Sequence, residues 1–243
     1  MKKVIAAIFI LIIVSGTTPP HGSIDVLQKM HDRFQNKWYK TFSFNQTTEL
    51  YKNDSLQRSQ VWYENIKFPG RFRIDFGSPD SGNAVIFKND SSYVFRKFKK
   101  TAARPYDNDL LFLLGGMYFY PFEQVISKMK SYGYDLDKYH EDTWEGKEVY
   151  VIGAKKNEDS VNQVWIEKEN YSPVRFIKWE GGSKEEGLFE NHVPLDGGFT
   201  ETLVYFYISN KLVQVEKYHD LKANQPMDDA IFDTNNLVKL NTE

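Results

Sequence analysis

The amino-acid sequence predicts an α+β domain in which an antiparallel sheet carries a leading helix and a central helical insert. Three observations lead to this fold class. Most segments after residue 41 alternate apolar and polar residues with a period of two, which is typical of strands with one buried face. Short turns rich in Asn, Asp, Gly and Pro separate them, so that consecutive strands pair. Residues 23–38 and 107–129 instead have the apolar spacing of helices.

The chain begins with a segment, residues 1–22, that has the composition of a secretory signal peptide. Two lysines precede the apolar residues 4–14, and small and polar residues follow. This apolar stretch is shorter than the ~20 residues that a helix needs to cross a bilayer core. A retained N-terminal anchor is the alternative. We expect cleavage after Gly16 or after Gly22, which leaves a single domain at residues 23–243 in the periplasm.

The composition narrows the functional classes. The chain has no cysteine, which excludes disulfides, a thiol nucleophile and the anchor that a bacterial lipoprotein carries on a cysteine. Its formal net charge of −2 provides no overall field that would attract nucleic acid. Aromatic residues make up 16% of the chain, and they serve either a β-rich core or the wall of an apolar ligand cavity. We therefore expect an exported protein without a lipid anchor and without a nucleic-acid partner.

A helix and a strand meander form the first part of the predicted domain. The helical stripe begins after Ser23, the candidate N-cap, and continues to about Trp38. Strands are predicted at residues 42–50, 56–64, 71–76, 84–88 and 91–98. The Asn-Asp pair before the last of these strands is a good hairpin turn.

The central insert contains two short helices. Asp107 or Asn108 is the candidate N-cap of the first, which ends at Leu114 before a Gly-Gly pair, and the second begins near Pro121. Both are apolar on more than one side, so they are buried or cover an apolar surface. The two helices form either a lid that opens or a helical hairpin packed permanently on the sheet.

Strands resume after residue 146. They are predicted at residues 147–154, 162–168, 173–179, 200–209 and 211–218, which gives about ten strands in all. Residues 181–198 are rich in Gly, Glu and Pro and are the best candidate for a mobile loop. Residues 228–233 form one helical turn at the end of the domain.

The order of these elements resembles the outer-membrane lipoprotein carrier and sorting proteins of the periplasm, a LolA-like family. The motifs that carry the resemblance are a helix running into residues 39–46, the segment Val-Trp-Tyr followed by Phe-Pro-Gly-Arg-Phe-Arg-Ile-Asp-Phe at 61–76, Ser-Pro-Asp at 78–80, and the later strands at 146–153, 164–167 and 172–177. The resemblance covers most of residues 23–243.

This resemblance implies a strongly curved, half-open β-barrel whose concave face is covered by short helices. Such a protein shields the acyl chains of lipoproteins or other lipids while it carries them to the outer membrane, without covalent chemistry. Its implied partners are acylated cargo, an inner-membrane lipoprotein exporter and an outer-membrane acceptor, and it is expected to be a monomer. The alternative is a periplasmic sensor or structural interaction module with the same fold and no transport role.

The resemblance also assigns candidate site residues. The cavity wall is assigned to Phe42, Phe44, Trp62, Phe72, Ile74, Phe95, Trp165, Phe176, Val204 and Phe206. The lid is assigned to Leu110, Leu111, Leu113, Leu114, Met117, Phe119, Phe122 and Met129. Carriers of this family place a lid-fastening arginine just before a Pro-x-x-Phe motif, where this chain has Phe68, so that Arg71 and Arg73 become the candidate latch.

Enzymatic signatures are absent from the sequence. The five histidines form neither a His-x-His nor a His-Glu-x-x-His motif, and there is no Gly-x-Ser-x-Gly elbow. The acidic groups Glu185–Glu186 and Asp228–Asp229–Asp233 are expected to be solvated. The basic residues 96–100 suit either an anionic lipid head group or a solvated hairpin end. We expect no catalysis, no metal and no cofactor.

Overall fold

The computed structural model describes residues 20–240. Residues 1–19, which hold most of the predicted signal peptide and its first candidate cleavage site, lie outside this range. Helix α1 (Ser23–Phe34) follows directly after Gly22. Ser23 is not its N-cap, because the Ser23 hydroxyl donates to the backbone oxygen of Lys138 (2.6 Å). No helix within residues 20–240 is long and apolar enough to span a membrane.

Fifteen strands and two further helices follow α1. The strands of the first half are β1 (Thr41–Lys52), β2 (Ser55–Lys67), β3 (Arg71–Phe76), β4 (Ala84–Phe87), β5 (Ser91–Arg96) and β6 (Lys99–Pro105). The central helices are α2 (Asp109–Leu113) and α3 (Phe122–Ser131). The strands of the second half are β7 (Tyr139–Trp144), β8 (Lys147–Ile152), β9 (Gln163–Glu167), β10 (Pro173–Glu180), β11 (Ser183–Glu190), β12 (Val193–Leu195), β13 (Gly198–Thr200), β14 (Leu203–Ile208) and β15 (Lys211–Ala223). Short 3₁₀ turns lie at Pro79–Ser81, Gly116–Phe119 and Asp229–Phe232.

Thirteen of the strands form one curved, open antiparallel sheet in the order β6-β5-β4-β3-β2-β1-β15-β14-β11-β10-β9-β8-β7. The remaining strands, β12 and β13, pair with each other. Because β6 and β7 are the two edges, the chain between them has to cross the whole sheet, and α2 and α3 lie on that crossing. We call the face that carries the helices the concave face and the other one the convex face. The predicted fold class, an α+β half-barrel with a leading helix and a central helical insert, is confirmed.

The sheet has more strands than the alternation pattern predicts. β6 and β7 are mostly polar edge strands, so apolar alternation gives them no signal. The loop predicted at residues 181–198 is wrong, because this segment forms β11, β12 and the start of β13. β11 pairs along its whole length with β10 and β14. Gly187 is part of this packing, since a Cβ atom there would lie 2.2 Å from the ring of Phe176.

The main core lies between the helices and the concave face of the second half of the sheet. Val26 and Met30 of α1 and Val125 of α3 are at most 1% exposed. They belong to one cluster with Ile152 of β8 and Ile166 of β9. Successive apolar residues on each helix follow the 3.6-residue period, which buries one stripe against the sheet.

A C-terminal segment, which we define as residues 227–237, packs on the convex face of β3–β5. Phe232 of this segment and Phe95 of β5 are both fully buried in one cluster. Beside it, the fully buried guanidinium of Arg73 makes a bidentate ion pair with Asp75 (2.7 and 2.8 Å) and donates to the backbone oxygen of Ile231 (3.0 Å).

The two arginines predicted as the lid latch both hold this C-terminal segment. Arg71 binds Asp229 (2.6 Å), and Arg73 binds Ile231. Both side chains point to the convex face because residues 71, 73 and 75 alternate with Phe72 and Ile74, which face the helices. The structure thus places the candidate latch on the side of the sheet opposite to the lid.

Breaking the buried Arg73–Asp75 pair is expected to destabilise the fold strongly. Asp75→Ala leaves an unpaired guanidinium without solvent, which costs about 3–5 kcal/mol of unfolding free energy. The measurement is urea denaturation followed by tryptophan fluorescence. The matched control is Asp229→Ala, which removes a largely exposed ion-pair partner and is expected to cost far less than Asp75→Ala because solvent screens the pair. Equal losses for both variants would contradict the prediction.

Candidate functional site

A cavity of about 400 Å³ lies on the concave face beneath helix α2. This volume falls within the range of about 300–1,000 Å³ that is typical of small-molecule sites. Strand alternation explains its apolar wall, because Phe42, Ile66, Phe72 and Phe87 stand in register on four consecutive strands, β1 to β4. All four side chains line the cavity.

Aromatic contacts continue the wall across the seam between β1 and β15. The ring of Phe44 lies 4.7 Å from that of Phe42 and 4.4 Å from that of Tyr218, measured between centroids. Phe206 of β14 completes the wall on the far side. Ile208 and Tyr106, which are 49% and 46% exposed, mark the open end of the cavity.

Helix α2 covers the cavity as a lid. Leu110, Leu111 and Leu114 face the cavity, while Phe112 and Leu113 are buried in the main core on the other side of the helix. The N-cap is Asn108, as one of the two sequence predictions has it, and its side chain accepts from the backbone amide of Leu111 (2.9 Å).

An ion pair that the sequence did not reveal fastens the lid. The carboxylate of Asp109, the first residue of α2, lies 2.8 Å from the ammonium of Lys178 on β10. A second pair, between Lys128 of α3 and Asp107 (2.7 Å), connects α3 to the segment just before α2. We call the Asp109–Lys178 pair the lid clasp. No sequence motif marks it, because its members lie in different halves of the chain.

The structure brings six of the ten predicted wall residues together around the cavity. They are Phe42, Phe44, Trp62, Phe72, Ile74 and Phe206. Phe176 and Val204 also lie on the concave face, where they pack with Phe189 beside the cavity and next to Leu110. Phe95 and Trp165 lie on the convex face. Their strand phase explains this, because each is an immediate neighbour of a residue that faces the helices.

Three of the eight predicted lid residues line the cavity, namely Leu110, Leu111 and Leu114. Leu113, Met117 and Met129 are instead buried in the main core. Phe119 stacks on Phe68 with 5.5 Å between ring centroids, and Phe122 packs against His31 at 5.6 Å. The lid in contact with the cavity is therefore α2, and α3 packs on α1 behind it.

Three carboxyl groups are buried among the apolar residues of the cavity. Glu64, Glu201 and Glu216 line it and are only 5%, 6% and 7% exposed. The Glu216 carboxylate accepts hydrogen bonds from Tyr218 (2.9 Å) and from Gln214. Glu64 of β2 and Glu216 of β15 belong to the inward-facing phase of their strands, and this phase is the signal by which the sequence could have revealed them. Glu201 lies in the connection between β13 and β14 and has no such signal.

Burial raises the pKa of all three carboxyl groups, so that they hold a proton at a higher pH than an exposed glutamate does. It raises the pKa of Glu64 well above the usual range, and repulsion from Glu216 and Glu201 raises it further. Burial also raises the pKa of Glu201 to about 7. For Glu216 burial raises the pKa, although hydrogen bonds from Tyr218, Gln214 and Gln46 offset part of the effect.

The acidic groups considered in the sequence have separate roles. Glu185 lies at the exposed rim of the cavity, whereas Glu186 is paired with Arg175 (2.5 Å) and Lys184 (2.7 Å) on the convex face. The aspartates at 228, 229 and 233 cap or fasten the C-terminal segment. Among residues 20–240, no group of three or more His, Asp or Glu side chains is arranged to hold a metal ion.

The fold and its lidded cavity define an open α+β half-barrel with a helical lid. A DUF1329 family protein from Desulfovibrio piger has a similar structure, with a TM-score of 0.57 and 14% identity over 87% of this chain and 95% of that one. A domain from Vibrio parahaemolyticus described as an outer-membrane lipoprotein-sorting protein gives 0.58 and 13% over 87% and 95%. A LolA superfamily protein from Nitrosomonas europaea gives 0.53 and 14% over 88% and 98%.

These likenesses confirm the predicted half-barrel, and at such low identity they concern the fold alone. No protein-family model and no curated protein matches the sequence. The residues that line the cavity of this chain, rather than the fold, therefore have to carry the argument for its function.

The raised pKa values predict that the protein becomes less stable as the pH rises. The folded state holds protons that the unfolded chain releases between its ordinary glutamate pKa, 4.5, and the folded value of about 7 for Glu201. The free energy of unfolding is therefore highest below pH 4.5 and falls as the pH rises to about 7. Glu201 contributes a loss on the order of 2–3 kcal/mol across this range. Thermal unfolding between pH 5 and pH 8 measures this loss.

The comparison that isolates the effect is Glu201→Gln. This variant is expected to remove much of the slope, whereas Glu148→Gln, at a largely exposed position of β8, is expected to keep it. A wild-type profile parallel to that of Glu201→Gln would show that this carboxyl does not carry the effect.

Proposed function

We propose that this protein is a non-enzymatic carrier that shields the acyl chain of a lipoprotein or lipid in the cavity beneath α2. The observation that carries the proposal is the combination of an aromatic wall in register across β1–β4 with a lid helix whose leucines face that wall. The names of two of the similar structures, which refer to lipoprotein sorting and to LolA, support the same reading.

The size of the hydrophobic effect makes such binding feasible. Each CH₂ group removed from water contributes about 0.8 kcal/mol, so ten methylenes contribute about 8 kcal/mol. That gross value matches a micromolar dissociation constant before the costs of association are subtracted. An affinity in this range suits a carrier, since its cargo has to be released as well as bound.

The cavity is open at Tyr106 and Ile208, and displacement of the lid widens this access for an acyl chain. The lid helix α2 is suited to such a motion. It is a five-residue helix, and the lid clasp connects it to β10. Opening of a helix this short breaks few backbone hydrogen bonds and withdraws Leu111, Phe112 and Leu113 from the main core, so it costs less free energy than global unfolding. The core helices α1 and α3 can stay in place during this motion.

The cellular setting completes the proposal. Residues 1–22 act as a signal peptide, and the domain at residues 23–243 works in the periplasm as a monomer. There it receives acylated cargo from an inner-membrane exporter and passes it to an outer-membrane acceptor. These steps rest on the resemblance to carrier proteins and on the composition of the first residues.

The direct test is native mass spectrometry of protein recovered gently from the periplasm of a diderm host, with organic extraction of the same sample. Wild type is expected to carry acylated species, and Phe206→Glu is expected to lose them because it places a charge in the apolar wall. Val61→Glu is the control, since Val61 is 40% exposed on the convex face. A wild type that is free of ligand and does not bind a fluorescent acyl probe would contradict the proposal and favour a sensor or interaction module.

Breaking the lid clasp is expected to make the lid open more often. Asp109→Asn removes a partly exposed ion pair worth about 1 kcal/mol or less, which corresponds to a gain of up to about fivefold in opening. Hydrogen exchange of residues 107–114 and the association rate of a fluorescent acyl probe should rise together. Glu148→Gln serves again as the control. Faster exchange without faster association would mean that this helix does not gate the cavity.

A further inference from the structure

We propose that the cavity selects amphiphiles whose head group carries a cationic nitrogen, and that Glu64, Glu201 and Glu216 receive this group. The inference rests on the proposed carrier function and specifies the chemistry of its ligand. A lipid amine or a quaternary ammonium lipid belongs to this class. A fatty carboxylate or an anionic phospholipid lies outside it.

The charges of the cavity are of one sign. Its titratable lining residues within the described range 20–240 are Tyr39, Tyr106, Tyr218, Glu64, Glu185, Glu201 and Glu216. No lysine, arginine or histidine is among these lining residues. Beyond the lining, Lys178 and Asp109 face Glu185 at the rim, and they are paired with each other in the lid clasp. Within residues 20–240, the three interior carboxyls therefore have no cationic side chain as a partner.

An unpaired charge in an apolar interior is costly, and a cationic ligand removes this cost. Burying a carboxylate without a partner is so unfavourable that the group takes up a proton instead. A ligand with a positive nitrogen lets the carboxyls ionise and pairs them at the same time. An anionic head group would add a further like charge to the site, which is unfavourable at such low solvent exposure.

A buried amide beside the cavity has an oxygen that lacks a hydrogen-bond donor. Gln46 is 1% exposed and stands on the concave face of β1, in register with Trp62 on one side and Tyr218 on the other. Its amide nitrogen donates to Thr48 (2.8 Å), but its oxygen Oε1 is buried and has no hydrogen-bond partner in the structure. Such an oxygen needs a donor, and a buried acceptor left without one costs about 1–3 kcal/mol.

Aromatic rings line the cavity together with the three buried carboxyls. Phe44, Trp62 and Tyr218 line the cavity next to the carboxyls, and the Tyr218 hydroxyl donates to Glu216. The negative face of an aromatic ring attracts an ammonium group within about 6 Å, and cages of this kind recognise quaternary ammonium ligands. The combination of carboxyls and rings fits an organic cation, while the apolar residues toward Ile208 accommodate its chain.

The test compares three amphiphiles that share a dodecyl chain and differ in head group. Dodecyltrimethylammonium, dodecyl maltoside and dodecanoate, each below its critical micelle concentration, compete with a neutral fluorescent acyl probe on the full exported protein at pH 8. We expect the cation to bind at least tenfold more tightly than the maltoside, and the carboxylate to bind most weakly. Because the charge of the quaternary ammonium does not titrate, any change of its affinity with pH reports on the protein.

Two further comparisons make the result specific to the carboxyls. The preference for the cation over the maltoside should shrink between pH 8 and pH 5, as the glutamates take up protons. The double variant Glu64→Gln/Glu216→Gln should lose the preference while still binding the maltoside, and Glu148→Gln should keep it. Retained binding of the maltoside also shows that the double variant is folded.

The outcomes separate this inference from the proposed function. If the three amphiphiles bind equally well, or if the preference is the same at pH 5 and pH 8, the cationic selectivity is wrong while the acyl carrier stands. If the cation is preferred but the double variant keeps the preference, the assignment to Glu64 and Glu216 is wrong. If none of the three binds, the carrier function itself fails.

Discussion

The structure depends on the antiparallel pairing of β1 with β15. This is the contact in the sheet that joins the six strands of the first half to the seven of the second, and it runs from Phe42 opposite Ala223 to Leu50 opposite Gln214. The register sets the chemistry of the cavity as well as its shape. It places Tyr218 opposite Gln46 and Glu216 opposite Thr48, so that polar side chains of the two halves meet on the concave face. A shift by one residue would turn this entire set to the convex face.

The topology of the sheet explains why the cavity has a lid. β6 and β7 are consecutive in the chain but lie at opposite edges of the sheet, so the connection between them has to pass over one of its faces. The apolar concave face attracts the apolar helices of that connection. The lid is therefore a consequence of strand order, and only its fastening by Asp109 and Lys178 is a matter of individual side chains.

The sequence predicts the fold class and most strands because alternation and turn chemistry are local signals. It fails at β6, β7 and β11 because their side chains are largely polar, so that apolar alternation gives no signal even though each strand pairs with its neighbour in the chain. Six of the predicted wall residues line the cavity because they share the inward phase of β1–β3 and β14, whereas Phe95 and Trp165 lie in the opposite phase. The buried glutamates were missed because a carboxyl at an inward position contradicts the apolar expectation. The arginines Arg71 and Arg73 were assigned to the lid because the position of the C-terminal segment is not encoded locally.

The C-terminal segment also has a consequence for how the protein reaches its folded state. The backbone oxygen of Ile231 that accepts from Arg73 lies 158 residues further along the chain, and β15 reaches β1 from a similar distance. The first half therefore emerges from the ribosome long before the strand and the outer layer that complete it. Contacts of such long range slow folding and make it cooperative. Until β15 and the C-terminal segment have been synthesised, β1 lacks one of its two neighbouring strands and the buried Arg73–Asp75 pair lacks its outer layer, so the first half cannot complete its fold alone.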